Sequence, residues 1–272
     1  MIELKNVKKV FNPGTVNENI AINNLSLKLN EGDFITIIGG NGAGKSTLLN
    51  IIAGSIQNDE GLILINGKDI SHLKEHKRAP YFGRVFQDPM KGTAPDMTII
   101  ENLALAKCRG RIPSLFKWSI GRGDKEEFIE LLKTLDLGLE NRIHQKVGLL
   151  SGGQRQALTL LMATMPKKDQ KDYENPILLL DEHTAALDPK TAAKVLSLTT
   201  KIVEEKHLTT IMVTHNMADA IKYGNRLIMM SKGQIVVDIS GEEKKKLTVE
   251  ELMKLFSSKS DNDVLPDAAI LG

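Results

Sequence analysis

A glycine-rich octapeptide constrains the fold more than any other feature of the sequence. Residues 39–46, GGNGAGKS, fit the pattern G-x-x-x-x-G-K-[ST]. They follow the β-rich run Phe34–Ile38 and precede the apolar run Thr47–Ala53, which predicts a strand, a loop and a helix in that order. Glycines let the loop N–H groups curl around an anion, and the helix N-terminus adds its dipole. The sequence therefore predicts an α/β fold with a phosphate-binding loop.

Every residue of this loop is a candidate contact for a bound nucleotide. Lys45 can reach the β- and γ-phosphates, and Ser46 can place its hydroxyl on Mg²⁺. A glycine-rich turn with a chance lysine is the alternative, but the strand before it and the helix after it argue against that interpretation. The full candidate set is Gly39, Gly40, Asn41, Gly42, Ala43, Gly44, Lys45, Ser46 and Thr47.

A second apolar run ends in two acidic residues. Ile177–Leu180 has the composition of a buried strand, and Asp181 and Glu182 follow it directly. Ligands of open α/β sheets bind outside the carboxyl ends of the strands, where these carboxylates are expected. Asp181 would hold the Mg²⁺ shell, and Glu182 would polarise an attacking water. Alone, two acids at a strand end are as readily a solvated loop; the phosphate loop favours the catalytic interpretation.

Composition and charge exclude several classes of protein. Hydrophobic residues make up 41% of the 272 residues and charged residues 26%, as in ordinary soluble domains. No apolar run approaches the ~18 residues of a membrane span, and the first residues lack the apolar core of a signal peptide. The single cysteine, Cys108, cannot form an internal disulfide, which fits a reducing cytoplasm. A net charge of +2 and 4% aromatic residues predict no nucleic-acid partner.

The hydrophobic pattern divides the chain into regions of different character. Period-two alternation predicts strands at Met1–Phe11 and Ile20–Leu29, and turn residues at Asn66-Gly67 and at 231–234 predict two hairpins. From about Asp96 to Lys146 the spacing becomes helical. We therefore expect one domain over residues 1–240 with a helical subdomain inserted at about 96–165, followed by a short C-terminal helix and tail over 241–272.

Local signals predict where two helices begin. Asp188 and Pro189 form a typical helix start, with Asp as the N-cap and Pro in the first turn. Thr248 and Glu251 have the spacing of a capping box, before a helix that ends near Phe256.

Other signals predict loops. Glycine, proline and basic residues indicate loops at Arg109–Pro113 and Gly121–Asp124. The charge run Glu242–Lys246 predicts a solvated turn, and Ser257–Gly272 a loose tail.

The pentapeptide Leu150–Gln154, LSGGQ, narrows the class of protein. Phosphate loops occur in kinases, switches and motors, so the loop and the acidic pair alone indicate only nucleoside-triphosphate binding. With this pentapeptide the chain resembles the ATP-binding cassette (ABC) family over about residues 1–240. The motifs that carry the resemblance are, in order, Walker A at Gly39–Thr47, the Q-loop Gln87, the signature Leu150–Gln154, Walker B at Ile177–Glu182, the D-loop Ala186-Leu187-Asp188 and the switch histidine His215.

The resemblance implies a fold and an assembly. The expected fold is α/β, a P-loop NTPase core with an antiparallel β subdomain and an inserted α-helical subdomain. Two cassettes would pair head to tail, as a homodimer or with a second cassette, and enclose two ATP molecules. Ser151, Gly152, Gly153 and Gln154 of one subunit would contact the ATP held by the phosphate loop of the other.

The resemblance also implies roles for single residues. His215 would contact the γ-phosphate and keep Glu182 in register with the water, and Gln87 would contact Mg²⁺ and the water. Asp188 would act across the dimer while it caps its helix. Phe11 stands where the family places an aromatic residue that stacks on adenine; packing in the core explains it equally well.

The chain departs from the family pattern at a few positions. His183 stands where the family usually has proline, either to fill a turn or to add a titratable group beside Glu182. Ala157 and Met162 occupy positions that are commonly arginine, and residues 165–176 form a longer, charged connection than usual. None of these departures removes a catalytic group.

The function that the resemblance implies is ATP hydrolysis that drives a membrane transporter, with ATP and Mg²⁺ as cofactors. Separate permease subunits would cross the membrane, and a groove built by the helical subdomain and residues 87–102 would receive a helix of theirs. We expect import of a small solute in bacteria, a substrate-binding protein as a further partner, and a cytoplasmic location on the inner face of the membrane. A soluble ATPase for assembly or repair is the alternative; the signature and His215 argue against a P-loop kinase.

Overall fold

A computed structural model describes residues 1–109, 122–165 and 176–259. In chain order, the strands are β1 (Ile2–Phe11), β2 (Asn19–Leu29), β3 (Phe34–Gly39), β4 (Glu60–Ile65), β5 (Lys68–Asp69), β6 (Phe82–Val85), β7 (Ile177–Asp181), β8 (Thr210–Val213), β9 (Arg226–Ser231) and β10 (Gln234–Ser240). The α-helices are α1 (Lys45–Ala53), α2 (Glu75–Arg78), α3 (Ile99–Lys107), α4 (Arg122–Lys133), α5 (Gly152–Ala163), α6 (Pro189–Glu205), α7 (Met217–Lys222), α8 (Gly241–Lys246) and α9 (Val249–Lys259). The described residues form two compact units, 1–78 with 207–259, and 79–206, which we call the first and second units.

An antiparallel sheet forms one part of the first unit. Its strand order is β2-β1-β4-β5. The β4–β5 turn consists of Asn66 and Gly67, whose φ angles of 47° and 79° are both positive. Positive φ at both central residues is the geometry of a type I′ turn, which matches the twist of a hairpin. The first predicted hairpin is therefore present as expected.

A second set of strands in the first unit surrounds β3. β3 pairs in parallel with β8 on one side and β9 on the other, and β9 pairs antiparallel with β10. Every residue of β3 is buried, as is typical of a strand covered on both faces. Lys232 and Gly233, with φ of 48° and 74°, turn the predicted hairpin between β9 and β10.

The charge run Glu242–Lys246 corrects one sequence prediction. It forms most of helix α8 rather than a turn; the run is exposed as predicted except at Lys244, which is only 2% exposed. The Lys244 ammonium donates hydrogen bonds to the carbonyls of Tyr223 and Gly224. Burial lowers the pKa of Lys244 to about 8. These carbonyls lie some 20 residues away in sequence, so the local charge pattern gives no sign of the contact.

The second unit combines a parallel strand pair with a helical core. β6 and β7 pair in parallel, in the register Val85 with Leu180. Residues of α3, α4 and α5 meet in one apolar cluster, in which Phe128 and Leu132 are fully buried. Both side chains lie in the stretch from about Asp96 to Lys146 that the sequence spacing predicts to be helical, and both face this cluster.

The predicted loops and the predicted tail agree with the structure to different extents, and parts of them lie outside the described residues. The predicted loop Gly121–Asp124 is wrong over most of its length, because α4 begins at Arg122. The predicted loop Arg109–Pro113 lies outside the described residues after Arg109, as does most of the 165–176 connection. Helix α9 extends to Lys259, beyond the predicted end near Phe256, and residues 260–272 lie outside the described part.

Candidate nucleotide-binding and hydrolysis site

The phosphate loop connects β3 to α1 in the first unit. Gly44 is the N-cap of α1, with φ of 98° and no side-chain cap. A Cβ on Gly44 would lie 2.4 Å from the Ala21 carbonyl oxygen of β2, so both the backbone conformation and the space require glycine. Gly44 therefore offers no side-chain oxygen to the first N–H groups of α1, as is typical of a helix terminus that binds an anion.

Lys45 is held against the loop that precedes it. Its side chain is buried, at 6% exposure, and its ammonium donates hydrogen bonds to the carbonyl oxygens of Gly39, at 2.8 Å, and Gly40, at 2.9 Å. These bonds hold the positive charge on the concave side of the loop. Ser46 and Asn41 are exposed, and Thr47 is half-buried.

His215 lies at the same sheet edge as the phosphate loop. β3 and β8 are parallel neighbours in register, with Ile37 opposite Val213. The N–H of Thr214 donates to the Ile37 carbonyl at 3.1 Å, which carries the pairing one residue past β8. Because parallel strands present their carboxyl ends at one edge, the structure brings His215 and the phosphate loop to the same side of the first unit.

Phe11 lies at the end of β1, in the antiparallel sheet. It pairs with Asn19 of β2, the strand that also approaches Gly44. Its ring is half-buried, and the Lys9 ammonium lies 5.6 Å from the ring centre. This position is compatible with both adenine stacking and packing, so the role of Phe11 stays a prediction.

The acidic pair lies at the carboxyl end of β7 in the second unit. Asp181 is the last residue of β7, and its carboxylate lies 3.5 Å from the guanidinium of Arg84 on β6. Gln87 follows β6 by two residues and is exposed. Since β6 and β7 are parallel, Gln87, Asp181 and Glu182 leave the sheet at one edge. Sequence reasoning missed Arg84, and only the β6–β7 register reveals it.

Glu182 occupies an unusual backbone conformation. Its φ is +46°, in the left-handed region that side chains rarely adopt. The Ala185 N–H donates to the Glu182 carbonyl at 3.0 Å, which closes a turn directly after β7. Such outliers concentrate at functional sites.

His183 fills this turn and does not add a charge at neutral pH. Its side chain is only 2% exposed, and Nε2 lies 3.2 Å from the Thr199 hydroxyl of α6. Burial lowers the pKa of His183 to about 4, because the charged form loses its solvation. Of the two alternatives that the sequence left open, the structure supports the turn-filling one.

The signature forms the start of α5. Ser151 is the N-cap: its hydroxyl accepts from the Gln154 N–H at 3.3 Å, and the Ser151 N–H donates to Gln154 Oε1 at 3.2 Å. This reciprocal pair is a capping box. A Cβ on Gly153 would lie 2.2 Å from the Thr191 methyl group of α6, so the start of α5 closely approaches the start of α6.

Asp188 caps α6, as the sequence predicts. Its carboxylate accepts from the Thr191 N–H at 3.1 Å, and Pro189 occupies the first turn. The hydrogen bonds from Thr191 lower the pKa of Asp188. The structure thus brings the D-loop aspartate and the signature glycines together at neighbouring helix starts in the second unit.

The remaining histidines lie on the surface of the molecule. His72, His76, His144 and His207 are exposed. Within the described ranges, no group of three or more His, Cys, Asp or Glu side chains could hold a metal ion. Among the same residues, no helix is long and apolar enough to cross a membrane.

Comparisons with known proteins identify the class that this fold and these motifs define. The sequence model of the ABC transporter family matches residues 22–185. A tyrosine transport ATP-binding protein of Clostridioides difficile is 46% identical over 256 residues, which cover 94% of this chain and 98% of that protein. A phosphonate import ATP-binding protein of Lactococcus lactis is 33% identical, covering 93% and 99%.

A solved structure agrees in fold. A dimeric ATP-binding cassette in a post-hydrolysis state, bound to ADP and Pi, matches with a TM-score of 0.72 and 31% identity, over 88% of this chain and 98% of that one. The molecule is thus a phosphate-loop ATPase of the α/β class. The chain belongs to the ABC transporter family, as an ATP-binding subunit, and both the family resemblance and the expected fold class are confirmed.

Proposed function

We propose that this chain hydrolyses ATP to power the import of a small organic solute through separate membrane subunits. One observation carries the proposal: a single chain holds both a phosphate loop, whose helix has glycine as its N-cap, and a signature serine that caps another helix. The two features together serve an ATPase that needs a second cassette to complete each site. The signature would have no role in a P-loop kinase or a P-loop switch protein.

The phosphate loop binds the triphosphate. The backbone N–H groups of residues 39–44 and the start of α1 surround the phosphates, Lys45 neutralises the β- and γ-phosphates, and Ser46 and Thr47 add hydroxyl contacts. The buried position of Lys45, on carbonyls of its own loop, supports this role, because the ammonium needs little reorganisation to meet a phosphate. Phe11 stacks on the adenine.

The donor set fits Mg²⁺. Ser46, Gln87 and Asp181 supply hydroxyl, amide and carboxylate oxygens, the ligands that this hard cation prefers, and Mg²⁺ usually takes only a few protein ligands beside phosphate. When bound, the ion neutralises charge on the phosphate oxygens. The Arg84 guanidinium lies 3.5 Å from the Asp181 carboxylate, within the same unit.

Glu182 acts on the attacking water. Its carboxylate accepts a hydrogen bond from the water and draws its proton as the oxygen approaches the γ-phosphate. Gln87 orients the same water, and His215 holds the γ-phosphate in line with it. The strand ends that carry Glu182 and Gln87 are parallel neighbours, which supports their joint action.

The signature completes the site of a second cassette. Ser151, the N–H groups of Gly152 and Gly153, and Gln154 contact the γ-phosphate across the interface. Asp188, at the neighbouring helix start, acts across the same interface. The dimeric state of the solved relative supports this arrangement.

The segment that follows Gln87 offers a docking surface for the permease. Asn102 of α3 anchors it: Oδ1 accepts from the Ala94 N–H at 2.8 Å, and Nδ2 donates to the Ala94 and Thr98 carbonyls at 3.0 and 2.9 Å. Met90 in this segment and Leu105 of α3 are each 47% exposed. A hydrogen-bonded segment with exposed apolar side chains suits a short helix of a membrane partner.

The direction and solute come from the relatives. The Lactococcus lactis relative is named for import, so we propose import, with a substrate-binding protein that delivers the solute and a location on the inner face of the cell membrane. Tyrosine is the first solute to test, because the Clostridioides difficile relative is named for tyrosine transport.

Copurification and reconstitution test the proposal. A tagged full-length chain should bring down a polytopic membrane protein in detergent, and tyrosine should stimulate ATP hydrolysis by the reconstituted complex. The Glu182→Gln variant is the control, since it should copurify equally but show no stimulation. A chain that hydrolyses ATP but associates only with soluble proteins would instead support the assembly or repair ATPase.

A further inference from the structure

The turn that carries Glu182 needs support from its surroundings. Glu182 has a left-handed backbone, and its carbonyl accepts from the Ala185 N–H, so His183 and Thr184 are the two central residues of the turn. A non-glycine residue keeps this conformation only where neighbouring structure holds it. His183, the first central residue, directly follows Glu182 and connects the turn to neighbouring structure.

His183 is attached to α6 through one hydroxyl group. His183 and Thr199 are 2% and 1% exposed, so this contact is shielded from water. The Thr199 hydroxyl donates its hydrogen to the Val195 carbonyl at 2.8 Å, one turn earlier in α6. Since a hydroxyl has only one hydrogen, His183 Nε2 must be the donor in its 3.2 Å contact with the Thr199 oxygen.

The two hydrogen bonds therefore run in a defined direction, from His183 to Thr199 and from Thr199 to Val195. They require the His183 tautomer with hydrogen on Nε2. The low pKa of His183, caused by burial, is consistent with a neutral ring in this arrangement. The Thr199 hydroxyl and His183 Nε2 each have a hydrogen-bond partner. The contact is therefore geometrically specific, unlike apolar packing.

We propose that His183 is a positioning residue that holds the Glu182 backbone in place through the Thr199 hydroxyl of α6. The inference rests on the proposed role of Glu182 as the group that acts on water. It gives a physical meaning to the departure at position 183, where a hydrogen-bonded side chain stands in place of the usual proline.

The attachment also links Glu182 to the helix that supports the signature. α6 begins at Pro189, after its N-cap Asp188, and its Thr191 methyl group lies where a side chain on Gly153 of the signature helix would be. The same 17-residue helix carries Thr199 two turns further on. A shift of α6 therefore reaches both the signature start and the turn of Glu182.

Thr199→Val tests the attachment with little change in volume. It removes the hydroxyl that accepts from His183, and we expect kcat for ATP hydrolysis by the full-length chain to fall about tenfold, while the Kd for ATP stays within about twofold. Thr199→Ser keeps the hydroxyl and should retain kcat within about twofold. His183→Ala should match Thr199→Val, and the double variant should be no slower than the slower single variant.

Thr200→Val is the matched control. The Thr200 hydroxyl also donates to a carbonyl one turn earlier in α6, that of Leu196 at 3.0 Å, and no histidine of the described residues is hydrogen-bonded to it. This variant should lower the melting temperature less than Thr199→Val, because Thr200 is only half-buried, and it should leave kcat unchanged. Equal kcat losses in the Thr199→Val and Thr200→Val variants would show a general effect on α6 and overturn the proposal.

Two results separate the inference from the function on which it rests. If Glu182→Gln abolishes turnover but Thr199→Val and His183→Ala keep the original kcat, His183 does not position Glu182 and the inference alone fails. If Glu182→Gln itself turns over at the original rate, Glu182 has no role in hydrolysis, and the proposed mechanism fails together with the inference.

Discussion

The starts of α1 and α5 differ in whether the N-cap side chain accepts hydrogen bonds from the first N–H groups of the helix. Both helices present N–H groups without helical partners. At α1 the N-cap is Gly44, which offers no side-chain oxygen, whereas at α5 the Ser151 hydroxyl and the Gln154 amide satisfy N–H groups within the chain. The N-cap side chain thus caps α5 within the chain, whereas the N-cap of α1 has no side chain that could cap it. We infer that a lone chain binds ATP through α1, and that α5 contributes only when a second cassette presents its ATP.

The variant with the largest expected effect stops ATP hydrolysis without altering either helix start. Glu182→Gln removes the carboxylate that draws the proton from water, so kcat should fall by about 10²–10⁴-fold. ATP should still bind at α1, and the ATP-bound dimer should accumulate. Turnover by phosphate release and dimer formation by light scattering measure the two effects. Asp136→Asn, at an exposed turn of the second unit, should change neither.

Ser151→Arg acts on the α5 start alone. The bulky cation removes the cap and fills the space that the phosphate of the opposite cassette would enter, so the ATP-dependent dimer should be lost and hydrolysis should fall about a hundredfold. ATP affinity of the single chain should stay within about twofold by titration calorimetry. Ser257→Arg, at an exposed position of α9, is the control. A normal dimer in the Ser151→Arg variant would show that α5 does not meet the second ATP.

Lys45→Ala acts on the α1 start alone. Charge-assisted hydrogen bonds contribute about 1.5–3 kcal/mol, so the affinity for ATP should fall about 10–100-fold. The Gly39 and Gly40 carbonyls also lose their shared donor, which should loosen the loop. Titration calorimetry on the full-length chain measures the loss, and Lys28→Ala, on an exposed face of β2, is the control. Unchanged affinity would contradict the assignment of the phosphate loop.

The sequence predicts best where local chemistry decides the structure. The Asn66-Gly67 turn, the second hairpin turn at Lys232-Gly233 and the Asp188 cap all follow from the conformational preferences of a few adjacent residues. The strand before the phosphate loop follows equally well, because the motif itself requires it.

The sequence fails where a distant contact decides. Lys244 is buried in α8 because carbonyls near Tyr223 accept from its ammonium, and a charge pattern cannot show that. His183 gives a similar lesson for the site. Its residue type suggests titration, but its burial against Thr199 of α6 makes it a neutral donor. Such partners are fixed by packing, which one sequence without a fold does not specify.

The smallest effect concerns a third helix start, that of α6. Asp188 combines features of the other two: its carboxylate caps the helix by accepting from the Thr191 N–H, and it lies exposed near the signature. Asparagine caps a helix about as well as aspartate, but alanine does not. Asp188→Ala should therefore lower the melting temperature by about 2–4 °C, and Asp188→Asn should leave it nearly unchanged.

The pair of Asp188 variants then separates capping from action across the dimer. If the charge of Asp188 matters only for its helix, ATP hydrolysis by Asp188→Asn equals that of the original chain at a temperature well below unfolding. If Asp188 also acts on the second cassette, as we propose, Asp188→Asn lowers hydrolysis severalfold while its melting temperature stays the same. The second outcome would place α6 in a third category, because it is a helix start that is capped within its own chain and still takes part in the site of its partner.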